Sequence, residues 1–122
     1  MAKIECEYSG GGLIEGTFDT HTVAANSTRT TVAHLTLSAN HTYIISGRII
    51  FTTAVNSIKV MGMIDNIGQI YNANGMVDGG GMVLCGLYRP TSNETINMKI
   101  EQSSSSTQNI SNACYLRAFP LD

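Results

Sequence analysis

The run Thr95-Ile96-Asn97-Met98-Lys99-Ile100-Glu101 alternates polar and apolar residues without a break. Successive side chains of a strand leave opposite faces, so Ile96, Met98 and Ile100 point one way and Asn97, Lys99 and Glu101 the other. A helix would scatter those apolar residues around its circumference. The run is therefore a half-buried strand. The same period of two recurs along the chain with turn residues between, and no window carries a helical apolar period. The sequence predicts an all-β fold.

Residues 3–8 read as a first short strand ended by Gly10-Gly11-Gly12, and Leu13 to Phe18 as a second. A polar loop follows over 19–28. Ala33, Leu35 and Leu37 then alternate with Val32, His34 and Thr36, and Ser38-Ala39-Asn40-His41 makes a turn. Tyr43, Ile45, Ile49 and Phe51 share one face of a long strand, with Ser46, Arg48 and Thr52 opposite. Ile44 and Ile50 break that alternation, which implies partial cover on the second face. Gly47 in mid-strand marks a bulge or a close backbone approach. Ile58, Val60 and Ile64 alternate with Lys59, Met61 and Met63. Residues 65–81 are turn-rich, and Asn74-Gly75 is a hairpin signal. Met82 to Tyr88 is a strand stopped by Arg89-Pro90-Thr91-Ser92-Asn93. A polar loop over 103–108 precedes a final strand over 110–121. About seven to nine short strands at this spacing predict a β-sandwich or barrel. Its expected core is Leu35, Leu37, Tyr43, Ile45, Phe51, Ile58, Val60, Ile96, Met98 and Ile100.

The 122 residues fit one domain, 1–122, with N-terminal strands and a loop over 1–28 and the main sandwich over 29–121. Charged residues make up only 13%, about half the usual share. A net charge of −2 with scattered Lys and Arg offers no footprint for nucleic acid or anionic lipid. No apolar run is long enough to span a bilayer, and Met1-Ala2-Lys3-Ile4-Glu5 has no signal core. The expectation is synthesis in the cytoplasm without a signal peptide. Cys6, Cys85 and Cys114 are an odd, widely spaced set, read as free thiols rather than a disulfide framework.

Catalytic chemistry has no constellation here. His21, His34 and His41 match no zinc spacing, and no cysteine pair accompanies them. Asp65, Asp78 and Glu94 belong to no calcium loop of defined spacing. There is no Gly-x-Ser-x-Gly elbow. Four glycosylation sequons, the first at Asn26-Ser27-Thr28, are chance matches in a chain rich in Asn, Ser and Thr. No catalytic residue, metal or cofactor is expected. A ligand site, if present, would draw on Tyr71, Asn72, Asn74 and Asp78, whose bland reading is a solvated hairpin loop. The terminal strand is apolar on both faces, since Tyr115, Arg117 and Phe119 alternate with Cys114, Leu116 and Ala118. One face can enter the core and the other needs a second cover. Met61 and Met63 pose the same problem, and Met suits an adaptable interface. A homotrimer with Met61, Met63, Tyr115, Arg117 and Phe119 at its interface is expected; the alternative is that residues 1–18 fold over this face.

Three segments resemble the jelly-roll domains of the tumour-necrosis-factor and complement globular-head superfamily, in the versions found in phage and prophage tail proteins. The first is Val32-Ala33-His34-Leu35-Thr36-Leu37-Ser38-Ala39-Asn40-His41-Thr42-Tyr43-Ile44-Ile45-Ser46-Gly47. Where many relatives have Ala-Gly in its turn, this chain has Ala39-Asn40. The second is Gly86-Leu87-Tyr88 followed by Thr95 to Ser103. The third is Tyr115-Leu116-Arg117-Ala118-Phe119-Pro120-Leu121. The resemblance covers residues 29–121. It implies a jelly-roll sandwich, threefold assembly with the last strand near the axis, and a binding role without enzymatic activity. It points to a virion or extracellular surface, with recognition of a host receptor or cell-surface saccharide at a tail tip. The competing reading is a structural subunit, such as a capsid decoration or tail-assembly protein, whose partners are other tail proteins. A small enzyme on a β-sandwich is disfavoured by the missing acid/base cluster.

Overall fold

A computed structural model of the protein describes residues 12–52, 59–72 and 81–121. Eleven strands form among them: β1 (Ile14–Glu15), β2 (Thr17–Phe18), β3 (Thr22–Val23), β4 (Thr30–Leu37), β5 (Tyr43–Ile49), β6 (Val60–Ile64), β7 (Gly68–Asn72), β8 (Met82–Tyr88), β9 (Glu94–Gln102), β10 (Gln108–Asn109) and β11 (Tyr115–Pro120). A four-stranded sheet has the order β1-β11-β5-β8 and a five-stranded sheet the order β2-β4-β9-β6-β7. The short pair β10-β3 stands apart from both. Every pairing is antiparallel. From β4 onward the chain passes between the two long sheets, turning back within one only at the β6–β7 hairpin. The result is a jelly-roll sandwich, as the alternation and the resemblance imply.

The core is the set of inward faces. Leu35, Leu37, Tyr43, Ile45, Phe51, Val60, Ile96, Met98 and Ile100 are all buried, as expected; Ile58 lies outside the described residues. The sheets approach closely at Gly47. A Cβ there would sit 2.6 Å from Ile64 Cδ1 and 2.9 Å from Met98 Sδ. The register of β5 runs unbroken against both β8 and β11. Of the two readings offered for Gly47, close approach is the one realised. The bulge falls instead between Thr31 and Ala33. It shifts the phase of β4, so that Val32 and Ala33 are both buried although they are neighbours.

Two details differ from the sequence reading. The stretch Leu13 to Phe18 divides at Gly16, with β1 joining the four-stranded sheet and β2 the five-stranded one. The Gly16 N–H donates to Leu116 O at 2.7 Å, and a Cβ on Gly16 would come within 2.9 Å of that same oxygen. The turn-rich stretch after Asp65 contains a real strand, β7, which pairs with β6 through a tight turn. Asn66 supplies a positive φ of 65° in that turn, and Ile67 N–H donates to Ile64 O at 3.1 Å.

Gln102 is the one buried polar residue among those described. It continues the inward series Ile96, Met98, Ile100 to the end of β9. Its Nε2 donates to Ser106 O at 2.9 Å, Ala24 O at 3.0 Å and Val23 O at 3.3 Å. Its Oε1 accepts from Ser104 N–H at 2.7 Å. The side chain thus ties the polar loop after β9 to the loop after β3, with its own polar atoms satisfied.

Candidate functional site

The two sheets turn unlike outer faces outward. On the five-stranded sheet, β4 and β9 present Thr31, His34 and Thr36 beside Lys99, Asn97 and Thr95. Ion pairs and hydrogen bonds cover this face. His34 Nδ1 lies 2.9 Å from Asp19 Oδ2, Arg29 Nε 2.9 Å from Glu101 Oε1, and the Thr36 and Thr95 hydroxyls are 3.1 Å apart. Such a surface is content in water.

The four-stranded sheet is different. Its register lines up Leu87, Ile44 and Phe119 in one outward row, and Val83, Arg48 and Tyr115 in another. Between them runs Cys85, Ser46, Arg117 and Glu15. Leu87 is 66% exposed, Val83 52% and Leu121 48%. Ile44, Tyr115 and Phe119 are half-buried. Arg117 is held flat, with its guanidinium 4.2 Å from the centre of the Tyr115 ring and Nε 3.1 Å from Glu15 Oε1. The outer face of this sheet thus carries two largely apolar rows with one ordered ion pair between them.

A second feature lies at the end of the sandwich where the 38–42 and 89–93 turns meet. Asn40 N–H donates to Pro90 O at 2.8 Å, and Ala39 N–H to Asn93 Oδ1 at 2.8 Å. The Tyr88 hydroxyl donates to Glu94 Oε1 in a short bond. That bond first, and then the Glu94 charge with some burial, pushes the Tyr88 phenol above its ordinary value. Beside these turns the β6–β7 hairpin and the start of β9 border a shallow, open cleft of about 650 Å³. Met63, Ile67, Asp65, Gln69, Glu94 and Thr95 are among its lining residues.

Asp65 anchors the cleft. Its N–H donates to Asn97 O at 3.1 Å, and its Oδ2 accepts from Asn97 N–H at 3.0 Å and Asn97 Nδ2 at 3.1 Å. Lys99 Nζ donates to Oδ1 at 3.2 Å. Burial works to raise the Asp65 pKa. The hydrogen bonds from Lys99 and Asn97, with the Lys99 charge, outweigh it and hold the carboxyl below its ordinary value.

Of the ligand residues expected from sequence, Tyr71 and Asn72 belong to β7, opposite Met61 and Val60. They stand at the end of the sandwich away from the cleft, and Asn74 and Asp78 lie outside the described residues. The interface set divides between the sheets. Tyr115, Arg117 and Phe119 share the outer face of the four-stranded sheet, while Met61 and Met63 belong to β6 of the other. Met61 is already buried and Met63 half-buried. Residues 14–18 pair along the sandwich edge; residues 1–11, the rest of the segment expected as the alternative cover, lie outside the described residues. Sequence reasoning missed Leu87, Val83 and Ile44 as companions of Phe119. The available signal was the parity of Val83, Cys85 and Leu87 within the strand Met82 to Tyr88. Among the described residues, no three His, Cys, Asp or Glu side chains gather as a metal set. Cys85 is exposed and Cys114 buried, both as free thiols.

No protein-family model matches the chain, and no curated protein matches it. Among solved structures, the chain is similar to the CBM22-1–GH10 modules of the Clostridium thermocellum endo-1,4-beta-D-xylanase 10B, complexed with xylohexaose. Identity is 12% and the TM-score 0.43, over 91% of this chain and 26% of that one.

Proposed function

We propose that the chain is a non-enzymatic recognition domain that works as a homotrimer, assembled through the outer face of its four-stranded sheet and recognising a saccharide. The observation that carries this reading is the contrast between the two outer faces. One is threaded with ion pairs and hydroxyl contacts; the other exposes Leu87, Val83 and Leu121 around half-buried Phe119, Tyr115 and Ile44. A monomer of 13.1 kDa gains nothing by showing that surface to water. Covering it with neighbours leaves the polar sheet and the end loops free for a ligand. A rigid sandwich with interlocked end turns is a suitable support for such loops. The resemblance of residues 29–121 to phage-tail jelly rolls supports placing it at a virion tail tip.

A structural subunit with no small ligand, such as a capsid decoration or tail-assembly protein, would use the same apolar face. A glycan array separates the two readings. Selective retention of one saccharide class supports recognition; retention of none leaves the structural role. Phe119→Glu and Leu87→Glu test the assembly itself. Each places a carboxylate in the apolar rows, and each is expected to dissociate the assembly while leaving the sheet fold intact by circular dichroism. Full assembly of both variants would sink the face as an interface.

A further inference from the structure

We infer that the cleft between the β6–β7 hairpin and the start of β9 is the saccharide subsite, and that it takes a neutral, hydroxyl-rich sugar rather than an anionic one. This rests on the recognition reading above, and it moves the site away from Tyr71 and Asn72 to the opposite end of the sandwich.

Four observations carry it. The first is shape: an open cleft of about 650 Å³ lies beside the interlocked end turns, within the usual range of small-ligand sites, about 300–1,000 Å³. The second is charge. Asp65 and Glu94 line the cleft and no Lys or Arg does. Lys99 is drawn to Asp65 Oδ1. A sialic acid or phosphate would meet carboxylates, whereas sugar hydroxyls donate to them. The third is fixed orientation. Asp65 is held by Asn97 and Lys99, and Glu94 by the Tyr88 hydroxyl. A carboxylate offers about four acceptor sites. Three are used at Asp65 and one at Glu94, so both retain lone pairs for a ligand. Because the groups are already ordered, little entropy is lost on binding. The fourth is a mixed lining. Gln69 supplies an exposed amide that both donates and accepts, Thr95 a hydroxyl, and half-buried Met63 and Ile67 an apolar patch for a sugar's C–H face.

The lining contains no aromatic ring. Stacking therefore contributes little, and the hydrogen bonds must supply most of the discrimination.

The test is a titration of the full-length, isotope-labelled protein with maltotetraose, cellotetraose and chitotetraose, with 3′-sialyllactose as the anionic control. Amide shifts are expected at Asp65, Gln69, Glu94 and Thr95 with at least one neutral probe, and none there with sialyllactose. Gln69→Ala, at an exposed position on β7, is expected to weaken that binding about tenfold, one lost amide contact set. Glu94→Gln should weaken it as well. Either loss should come without any change in assembly. Shifts confined to residues around Tyr71 and Asn72, equal binding of sialyllactose, or full affinity in Gln69→Ala would each overturn the subsite while leaving the recognition reading standing. Absence of shifts with every neutral probe overturns the subsite. A silent glycan array overturns the recognition reading with it.

Discussion

Replacing Gln102 with Met exchanges a buried hydrogen-bonding hub for an apolar chain of similar length. Cavity and overpacking effects are therefore small. What is lost can be counted. Nε2 has two hydrogens, so its three carbonyl contacts at 2.9, 3.0 and 3.3 Å amount to two full bonds. The bond that Oε1 accepts from Ser104 N–H at 2.7 Å makes a third. At about 1 kcal/mol each, the sum is about 3 kcal/mol. Water can reach the freed groups of Ala24, Ser104 and Ser106 in part, because those residues are not fully buried; Val23 O has no such relief. A loss of that size is a large fraction of the roughly 5–15 kcal/mol that holds a domain together. It should lower Tm by about 12 °C for a domain of this length. Urea unfolding at fixed protein concentration, fitted with a common m-value, measures it. Gln108→Ala is the control, because among the described residues the Gln108 side chain bonds only the Ser104 and Ser106 hydroxyls, and it should cost under about 0.5 kcal/mol. A Gln102→Met loss below about 1 kcal/mol would refute the hub and show that the loops do not depend on it.

Gly47→Ala should destabilise by about 1–2 kcal/mol, because its Cβ would press on Ile64 Cδ1 and Met98 Sδ of the facing sheet. Urea unfolding that matched wild type would remove the close-approach argument. Asp65 has a folded pKa below its unfolded value. Its stabilisation is complete above the ordinary aspartate value, near about 4, and is lost as pH falls through the folded value. The wild-type stability should therefore fall more steeply than that of Asp65→Asn in acid; parallel curves would contradict the assignment. Burial pushes the Cys114 thiol pKa up, despite hydrogen bonds from Ile50 and Ser111 and the nearby Arg48 charge, which act to lower it. In a Cys6→Ser background, a thiol reagent should therefore label Cys85 first and Cys114 only on unfolding. Labelling of Cys85 should be faster in Phe119→Glu than in its parent, because Cys85 belongs to the face that assembly covers. Equal rates would argue that the face is open in both.

How much of this was legible before the structure depended on how local the cause was. The strands β4, β5 and β9 were legible because one face of each is buried, and a half-buried strand writes its pairing into every second residue; β8 was legible only as an apolar run between turn residues. Gly47 announced either a bulge or a close approach, since both call for a missing side chain, and only the unbroken pairing of β5 decides between them. Gln102 had a signal that went unread: it sits in phase with Ile96, Met98 and Ile100, which places an amide in the core. Val32 could not be read, because a bulge shifts the phase and alternation alone does not report it. The strand β7 was hidden in turn-rich sequence, for its five residues are stabilised by pairing with β6 rather than by local pattern. The cleft was invisible for a related reason. Asp65 and Glu94 are far apart in the chain and are neighbours only because β6 pairs with β9 on one side and β7 on the other. The apolar face was half visible: Phe119 and Tyr115 stood out by alternation. Leu87 and Val83 did not, since an apolar run such as Met82 to Leu87 looks buried on both sides.

The central claim is that a second and third copy cover the outer face of the four-stranded sheet. Light scattering of the purified protein at micromolar concentration tests it directly. The account predicts a particle three times the 13.1 kDa chain mass. A particle of one chain mass at that concentration would contradict it, and would leave Leu87, Val83 and Phe119 as an apolar surface without the partner assigned to it.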